Sequence, residues 1–449
     1  MYDNHQSKLE ASIGFSRKWD AREAGREVAK KVIKKLDTPP SFILLFSTTH
    51  YKKTGGFKEL LDGIWDVIPK GTPLVGGTVS SFINNYGCFS RGVTALAVSY
   101  PNIDVAVGVG KYTKIRPKNA AKICASMLKK ELKSSKYKNK LLINVISGPT
   151  IPNIPGIGRF MNIESKTLGN LLSYFFVDFF SLLGHGIGKE GDVLNELSLQ
   201  FPDYQIIGNS AGERLFNYQF VNDKVYTNSI VVLGCSFDIP VNINSAIVSH
   251  DTDKTFKITG TTYNKRIITK IDNKPARETF FNLLDVDSHQ FGDFDDFYYK
   301  TSVYFPMTFE EKKENTLGVC GLFGDNIVLH EKAAGKNVRL LSVTGKEIIS
   351  NIDEIIKTSN QDSPFTLIFY SSLYSYILHD RTHDIKDKLE QFYGDKPFLA
   401  IGSLVENVKI KDKAPSVHVY SINMFQLEIN DFMGIMTDDG EKKDKRKRL

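Results

Sequence analysis

Few residues in this sequence are spaced for chemistry. His379 and His383, in the run His379-Asp-Arg-Thr-His-Asp384, stand four apart, so a helix would carry both on one face, as a metal site requires. The spacing is common and no third ligand can be assigned. An exposed polar helix start accounts for it, and no metal is expected. Leu183-Gly-His-Gly-Ile-Gly-Lys-Glu190 has the glycine content of a phosphate loop but not its order. Leu183 stands five before Gly188, where a glycine is required, and Glu190 follows the lysine, where an acid repels phosphate. A helix C-cap and loop is expected there, with His185 as a candidate ligand contact. Ser371 and Ser372 fall just past an apolar strand, where a nucleophile can emerge, but the GxSxG elbow is absent. Asp178, in Phe175-Phe-Val-Asp-Phe-Phe180, is either desolvated among rings or points outward between them. Cys88, Cys124, Cys235 and Cys320 form no CxxC pair, so reduced, buried thiols are expected rather than zinc or disulfides.

Three stretches of chain repeat one plan that would position such groups. Ser41-Phe-Ile-Leu-Leu-Phe46 leads through a helical region to Pro73-Leu-Val-Gly-Gly-Thr78, a polar hairpin and the strand Val93 to Val98. Leu141-Leu-Ile-Asn-Val-Ile146, ending at Ser147-Gly148, leads through an insert and helix to Gln205-Ile-Ile-Gly-Asn-Ser210 and the strand Ser229 to Leu233. Phe365-Thr-Leu-Ile-Phe369 leads through a helix from Asp384 to Phe392 to Pro397-Phe-Leu-Ala-Ile-Gly-Ser403 and a strand Val417 to Tyr420. The middle copy is longer, and its surplus includes the Pro- and Gly-rich stretch Gly148 to Gly158, which is either a functional lid or a surface excursion. In every copy a small residue follows an apolar strand end, where backbone amides can approach a ligand. The candidate ligand-binding residues are therefore Gly76, Gly77, Thr78, Gly208, Asn209, Ser210, Tyr370, Ser371, Gly402, Ser403 and Glu406.

At 449 residues the chain exceeds one ordinary core, and two domains are expected. Its charge of +7 is concentrated at the end, where Lys442 to Leu449 carries a net +5, leaving +2 elsewhere. The folded part gives no nucleic-acid signal, and the tail, about residues 433–449, is expected to be solvated and disordered. Phe291 to Tyr299 interleaves rings with acids, too acidic for nucleic-acid stacking, and suits a domain seam or an irregular surface equally. The polar start lacks an apolar leader and no run of about 18 apolar residues occurs, so a soluble, cytoplasmic protein without membrane contact is expected.

Asp20 to Leu36 reads as an amphipathic helix capped by Asp20 and stopped at Pro39-Pro40. Together with the strand Phe42 to Phe46, the Tyr51 loop, Pro73 to Gly77 and a Gly87 hairpin, it resembles the start of the FIST N-terminal module, with similarity to about Phe237. A second match starts near Lys257, where Ile267-Ile-Thr-Lys-Ile-Asp-Asn-Lys-Pro-Ala276 is similar to the opening of the FIST C-terminal module. The resemblance implies a mixed α/β protein of repeated strand-helix-strand-hairpin-strand units. Its modules would span residues 10–240, with two copies, and 241–432, with the third. It implies small-ligand sensing, amino acids among the ligands, and a signalling protein in trans as partner. Departures exist: Tyr370-Ser-Ser-Leu-Tyr374 lacks the Cys and Gly-Arg usual after that strand, so a carboxylate loses its cation. No cofactor is expected; because some members resemble haem-based gas sensors, His185 is the residue to test for iron. A sensor rather than an enzyme is the reading. The rivals are a hydrolase or transferase using Ser371 or a histidine, a haem-based gas sensor, and a nucleic-acid protein acting through the basic tail.

Overall fold

The computed structural model describes residues 8–150, 162–212, 216–286, 305–310 and 312–428. The Pro- and Gly-rich stretch beyond Thr150, Phe291 to Tyr299 and the basic tail lie outside them. The chain opens with β1 (Glu10–Ser16) and α1 (Ala21–Ile33). Asp20 caps α1 by accepting the Glu23 N–H at 2.8 Å, and Ala21, Ala24, Val28 and Val32 form its buried stripe, as their spacing predicts. Then come β2 (Phe42–Ser47), α2 (Phe57–Trp65), β3 (Leu74–Thr78), a hairpin of β4 (Ser81–Asn84) and β5 (Gly87–Phe89), and β6 (Val93–Ser99).

The second stretch follows the same order: β7 (Ile103–Lys111), α3 (Pro117–Leu132) and β8 (Asn139–Ser147). An insert supplies β9 (Asn162–Ile163) and α4 (Lys166–Tyr174), which runs on through a π turn, before α5 (Glu190–Gln200), β10 (Gln205–Ala211), the hairpin β11 (Gln219–Val221) and β12 (Lys224–Tyr226), and β13 (Ser229–Phe237). The third stretch begins at β14 (Val241–Ile247) and is interrupted by β15 (His250–Thr261), β16 (Ile267–Ile271), β17 (Lys274–Pro275), α6 (Ala276–Leu284), β18 (Met307–Phe309), β19 (Lys312–Leu317), β20 (Val319–Phe323), β21 (Asn326–Leu329) and β22 (Asn337–Ser342). It resumes with α7 (Gly345–Lys357), β23 (Thr366–Ser371), α8 (Leu373–Leu378), α9 (Thr382–Tyr393), β24 (Phe398–Ser403), the hairpin β25 (Glu406–Lys409) and β26 (Ser416–His418), and β27 (Ser421–Leu427).

Among the described residues, three six-stranded sheets share one strand order: β1-β6-β2-β3-β11-β12, β7-β13-β8-β10-β25-β26 and β14-β27-β23-β24-β4-β5. The central pairs β2/β3, β8/β10 and β23/β24 are parallel, as their helical crossovers require. Each hairpin leaves its own stretch and covers the open edge of another sheet, removing an unpaired row of N–H and C=O groups. The pairing β24/β4 and the pairing β10/β25 both cross the boundary expected near residue 240.

Alternation along the three central strands divides their side chains between two layers. Phe42, Leu44 and Phe46, with Leu141, Ile143 and Val145 and with Phe365, Leu367 and Phe369, pack into one core shared by all three sheets. The opposite faces carry helices: Ile43 and Leu45 meet α1 and α2, Leu142 and Ile146 meet α3 and α5, and Ile368 and Tyr370 meet α7, α8 and α9. Each fully buried Leu, Ile or Phe in these layers contributes about 1.5–3 kcal/mol. The mixed α/β class and helix-covered sheets match expectation.

The closing strand of the third stretch does not. Val417 and His418 belong to the hairpin strand β26, paired with β25, and the place between β14 and β23 is taken by β27. This strand looks too polar to be central because of Ser421, Asn423 and Gln426. Those groups are buried and bonded: Asn423 Oδ1 accepts from Ser245 at 2.6 Å, and Gln426 Nε2 donates to Thr366 Oγ1 at 3.0 Å. The eight strands of the interrupting segment and β9 of the insert form a nine-stranded sheet, against which α6 packs. Among the described residues no helix is long and apolar enough to cross a membrane.

Candidate functional site

The parallel strands of all three sheets deliver their carboxyl ends to one place. β2, β8 and β23 finish at Ser47, Ser147 and Ser371, opposite Thr78, Ala211 and Ser403, and all six are buried. The three corners are hydrogen-bonded in a ring. Ser80 donates its N–H and hydroxyl to Gly402 O at 3.3 and 2.9 Å, Gly212 N–H reaches Thr78 O at 2.9 Å, and Ser210 N–H reaches Val405 O at 2.8 Å. Thus Gly76 to Thr78, Gly208 to Ser210 and Gly402 to Glu406, named from the sequence, converge from three separate stretches.

Most of the glycines are filled by protein rather than open to a ligand. A Cβ on Gly76 would lie 1.7 Å from Leu45 O, on Gly208 2.2 Å from Asn144 O, and on Gly77 2.7 Å from Tyr218 O. Their missing side chains let backbones approach one another. Gly402 differs: its Cβ would meet the side chains of Ser81, at 2.3 Å from Oγ, and Tyr370, at 3.1 Å from Oη.

Those two side chains line a cavity of 310 Å³ between the β4–β5 hairpin and the helices that follow β23. Ser81 Oγ and Tyr370 Oη are 3.0 Å apart. Ser372, fixed by its N–H to Ser403 O at 2.7 Å, also lines the cavity, and its buried hydroxyl has no hydrogen-bond partner among the described residues. Burial pushes the Tyr370 phenol up to about 12 and the Cys88 thiol, also in the wall, up to about 11, so both are neutral at pH 7. His379 completes one side. Its φ of 48° turns the chain ahead of α9, so His379 and His383 do not share a helix as the spacing predicts; both are exposed. Among the described residues no three His, Cys, Asp or Glu side chains cluster to hold a metal. Ser371, the other sequence candidate, donates its hydroxyl to Val419 O at 2.5 Å.

The second corner is packed with ionisable groups instead. Lys114, in the turn between β7 and α3, is fully buried, and its ammonium donates to Thr150 Oγ1 at 2.6 Å and Gly186 O at 3.3 Å. Glu190, the first residue of α5, is buried against the Ser210 hydroxyl, which donates to it. Asn217 ties this corner to the preceding loop through Pro149 O at 2.7 Å and Thr150 Oγ1 at 2.9 Å. Loss of hydration pushes Glu190 up to about 7 and Lys114 down to about 7. Among the described residues, Ser147 Oγ, Asn209 Oδ1 and Asn217 Oδ1 have no hydrogen-bond partner there. Between the second and third corners, Glu406 lies opposite Asn209 in the β10/β25 register and accepts from Ser403 Oγ at 3.2 Å and Ser421 N–H at 3.2 Å. Burial holds its carboxyl well above the usual carboxylate range.

His185 is half-buried in the turn after α4, its N–H donating to Phe180 O at 2.8 Å, and it is not among the residues lining the cavity. Asp178 accepts from Asn264 Nδ2 at 3.1 Å across the insert's contact with the fourth sheet. Ser47 escaped sequence reasoning, and Ser147, named as the end of the second apolar run, was not taken as a candidate, although a signal existed: all three runs end in serine, Phe-Ile-Leu-Leu-Phe-Ser47, Leu-Leu-Ile-Asn-Val-Ile-Ser147 and Thr-Leu-Ile-Phe-Tyr-Ser371. Lys114 carried no such signal, since a lysine in a polar turn reads as exposed.

Residues 41–274, just over half of the chain, match the family model for the FIST N domain. The chain belongs to the FIST family. FIST domains are small-ligand sensory domains, and the matched segment brings in two of the three corners. It also runs past residue 240, through β14, β15 and β16, beyond the expected end of the N-terminal module. No curated protein matches the chain. Among solved structures, cyanuric acid hydrolase from A. caulinodans aligns with 94% of this FIST chain and 100% of its own at 6% identity, with a TM-score of 0.35. A likeness that weak carries no inference about activity.

Proposed function

We propose that this FIST-family chain is a sensor that takes a small molecule in the cavity at its third corner and reports occupancy to a separate signalling protein. The observation that carries this reading is the unpartnered Ser372 hydroxyl in a cavity beside the ring of strand ends. A buried hydroxyl without a partner costs about 1–3 kcal/mol, which a ligand hydrogen bond recovers. The cavity volume lies at the small end of ligand pockets and fits a metabolite rather than a large cofactor such as haem.

A route for the signal is available. One wall is the β4–β5 hairpin of the first stretch, and the other belongs to helices of the third. A ligand touching both favours one relative position of the two, and only such differential affinity shifts a conformational equilibrium. We assign the protein to the cytoplasm, in keeping with its four unpaired cysteines. No reaction is proposed: the hydroxyl of Ser371 is bound to a carbonyl oxygen.

Thermal shift assays with a panel of amino acids, polyols and neutral amides test the reading. A binding compound should raise the melting temperature of the full chain in proportion to RT ln(1 + [L]/Kd). The same compound should leave Ser375→Trp, whose indole fills the cavity, unshifted. Equal shifts in both proteins would remove the cavity from the account.

A further inference from the structure

The walls of this cavity also specify what kind of molecule it takes. Ser80, Ser81, Tyr370, Ser372, Ser375 and Thr382 line it, the hydroxyls of Ser80 and Thr382 donating to Gly402 O and His379 O, and Phe82, Phe89 and Tyr376 supply apolar and aromatic surface. Among the described residues no Lys, Arg, Asp or Glu lines it, and the His379 side chain at one side is exposed to water. The nearby ammonium of Lys386 is engaged outside the wall by Glu390 at 2.5 Å. Hydroxyls both donate and accept, so they complement a ligand of mixed hydrogen-bonding character, but they cannot neutralise a charge brought out of water.

Resting on the proposed sensor reading, we infer that the ligand is an uncharged molecule bearing several hydrogen-bonding groups, and not an amino-acid zwitterion. Among the described residues a carboxylate bound here would find no guanidinium or ammonium, and the one imidazole, His379, is exposed, where water screens its interaction with an anion. The unpartnered Ser372 hydroxyl, together with the Ser81–Tyr370 pair at 3.0 Å, gives the ligand three adjacent positions for neutral hydrogen bonds. Aromatic side chains on the remaining wall accept the carbon skeleton of either a polyol or a neutral amide.

Saturation-transfer NMR on the full chain separates these classes, with myo-inositol as the polyol probe, nicotinamide as the neutral aromatic amide, and glycine and glutamate as charged probes. A saturable signal is expected from at least one uncharged probe, with the charged probes weaker by at least roughly tenfold, the factor that 1.4 kcal/mol produces. The two uncharged arms show which skeleton is preferred. Ser375→Trp should abolish the signal, and Ser90→Trp, at the exposed rim, gives a second block should the first variant melt early. Tighter binding of glycine or glutamate, lost in both variants, would overturn the uncharged class while leaving the sensor reading standing. Binding of no probe, or binding that neither variant weakens, would overturn both.

Discussion

Glu190→Gln offers a quantitative check on the second corner. The glutamate carboxyl has an ordinary value of 4.5 and is pushed to about 7 by burial. An acid raised in the fold holds its proton there, so its contribution to stability is complete below pH 4.5 and is lost as pH rises toward 7. The shift corresponds to about 3 kcal/mol at 1.36 kcal/mol per unit. Glutamine has the shape of the protonated acid and keeps an acceptor for Ser210, so the variant should match wild type near pH 4 and exceed it by about 3 kcal/mol at pH 7. Lys114, lowered to about 7 by burial, loses its share of stability as pH falls from 10.5 through 7, a window on the other side of neutrality. For a 449-residue chain unfolding as one unit, about 2.1 cal/mol/K per residue converts the gain to roughly 3 °C in Tm. Differential scanning calorimetry at pH 4, 5, 6 and 7 on both proteins reads it directly. Parallel profiles would mean that Glu190 ionises in the fold as it does in water. A variant less stable than wild type at pH 7 would mean that Glu190 and Lys114 form a net stabilising ion pair, and either result would show that burial does not hold a proton on Glu190 at a cost to stability.

Other outcomes follow from the same geometry. Gly76→Ala drives a methyl into Leu45 O, which cannot move without parting β2 from β3, and should cost roughly 3 kcal/mol or more in urea denaturation. Gly402→Ala meets the rotatable Ser81 hydroxyl, so about 1 kcal/mol is expected, with ligand binding impaired more than stability. Glu406→Gln should be nearly neutral because burial already favours the uncharged acid, whereas Glu406→Ala strands the Ser421 N–H and should cost about 1–3 kcal/mol. Asp20→Ala removes the α1 cap, costing about 1 kcal/mol by the same denaturation assay, and should leave thermal shifts from bound ligand intact.

Much of the fold was legible because local patterns determine it. Apolar runs such as Phe42 to Phe46 and Leu141 to Ile146 read as buried strands, and the Asp20 cap with Ala24, Val28 and Val32 reads as a helix. The exchange of hairpins was not legible, since alternation fixes which face of β4 or β25 is buried and says nothing of which sheet it joins. For β27, satisfied buried polar residues erased the strand signal. The candidate corners followed from recurrence of small residues at strand ends. What decided their roles was spatial: Gly76 and Gly208 face a neighbouring backbone, while Gly402 faces Ser81 and Tyr370. Lys114 and Glu190 are buried by packing against the loop at Thr150 and Gly186, a tertiary contact that no short window of sequence encodes.

Native mass spectrometry of freshly purified wild type and Ser375→Trp, prepared in parallel, tests most directly whether the third corner holds a small molecule. An added small-molecule mass is expected on wild type and not on the variant. Bare protein in both preparations, or the same added mass on both, would contradict it.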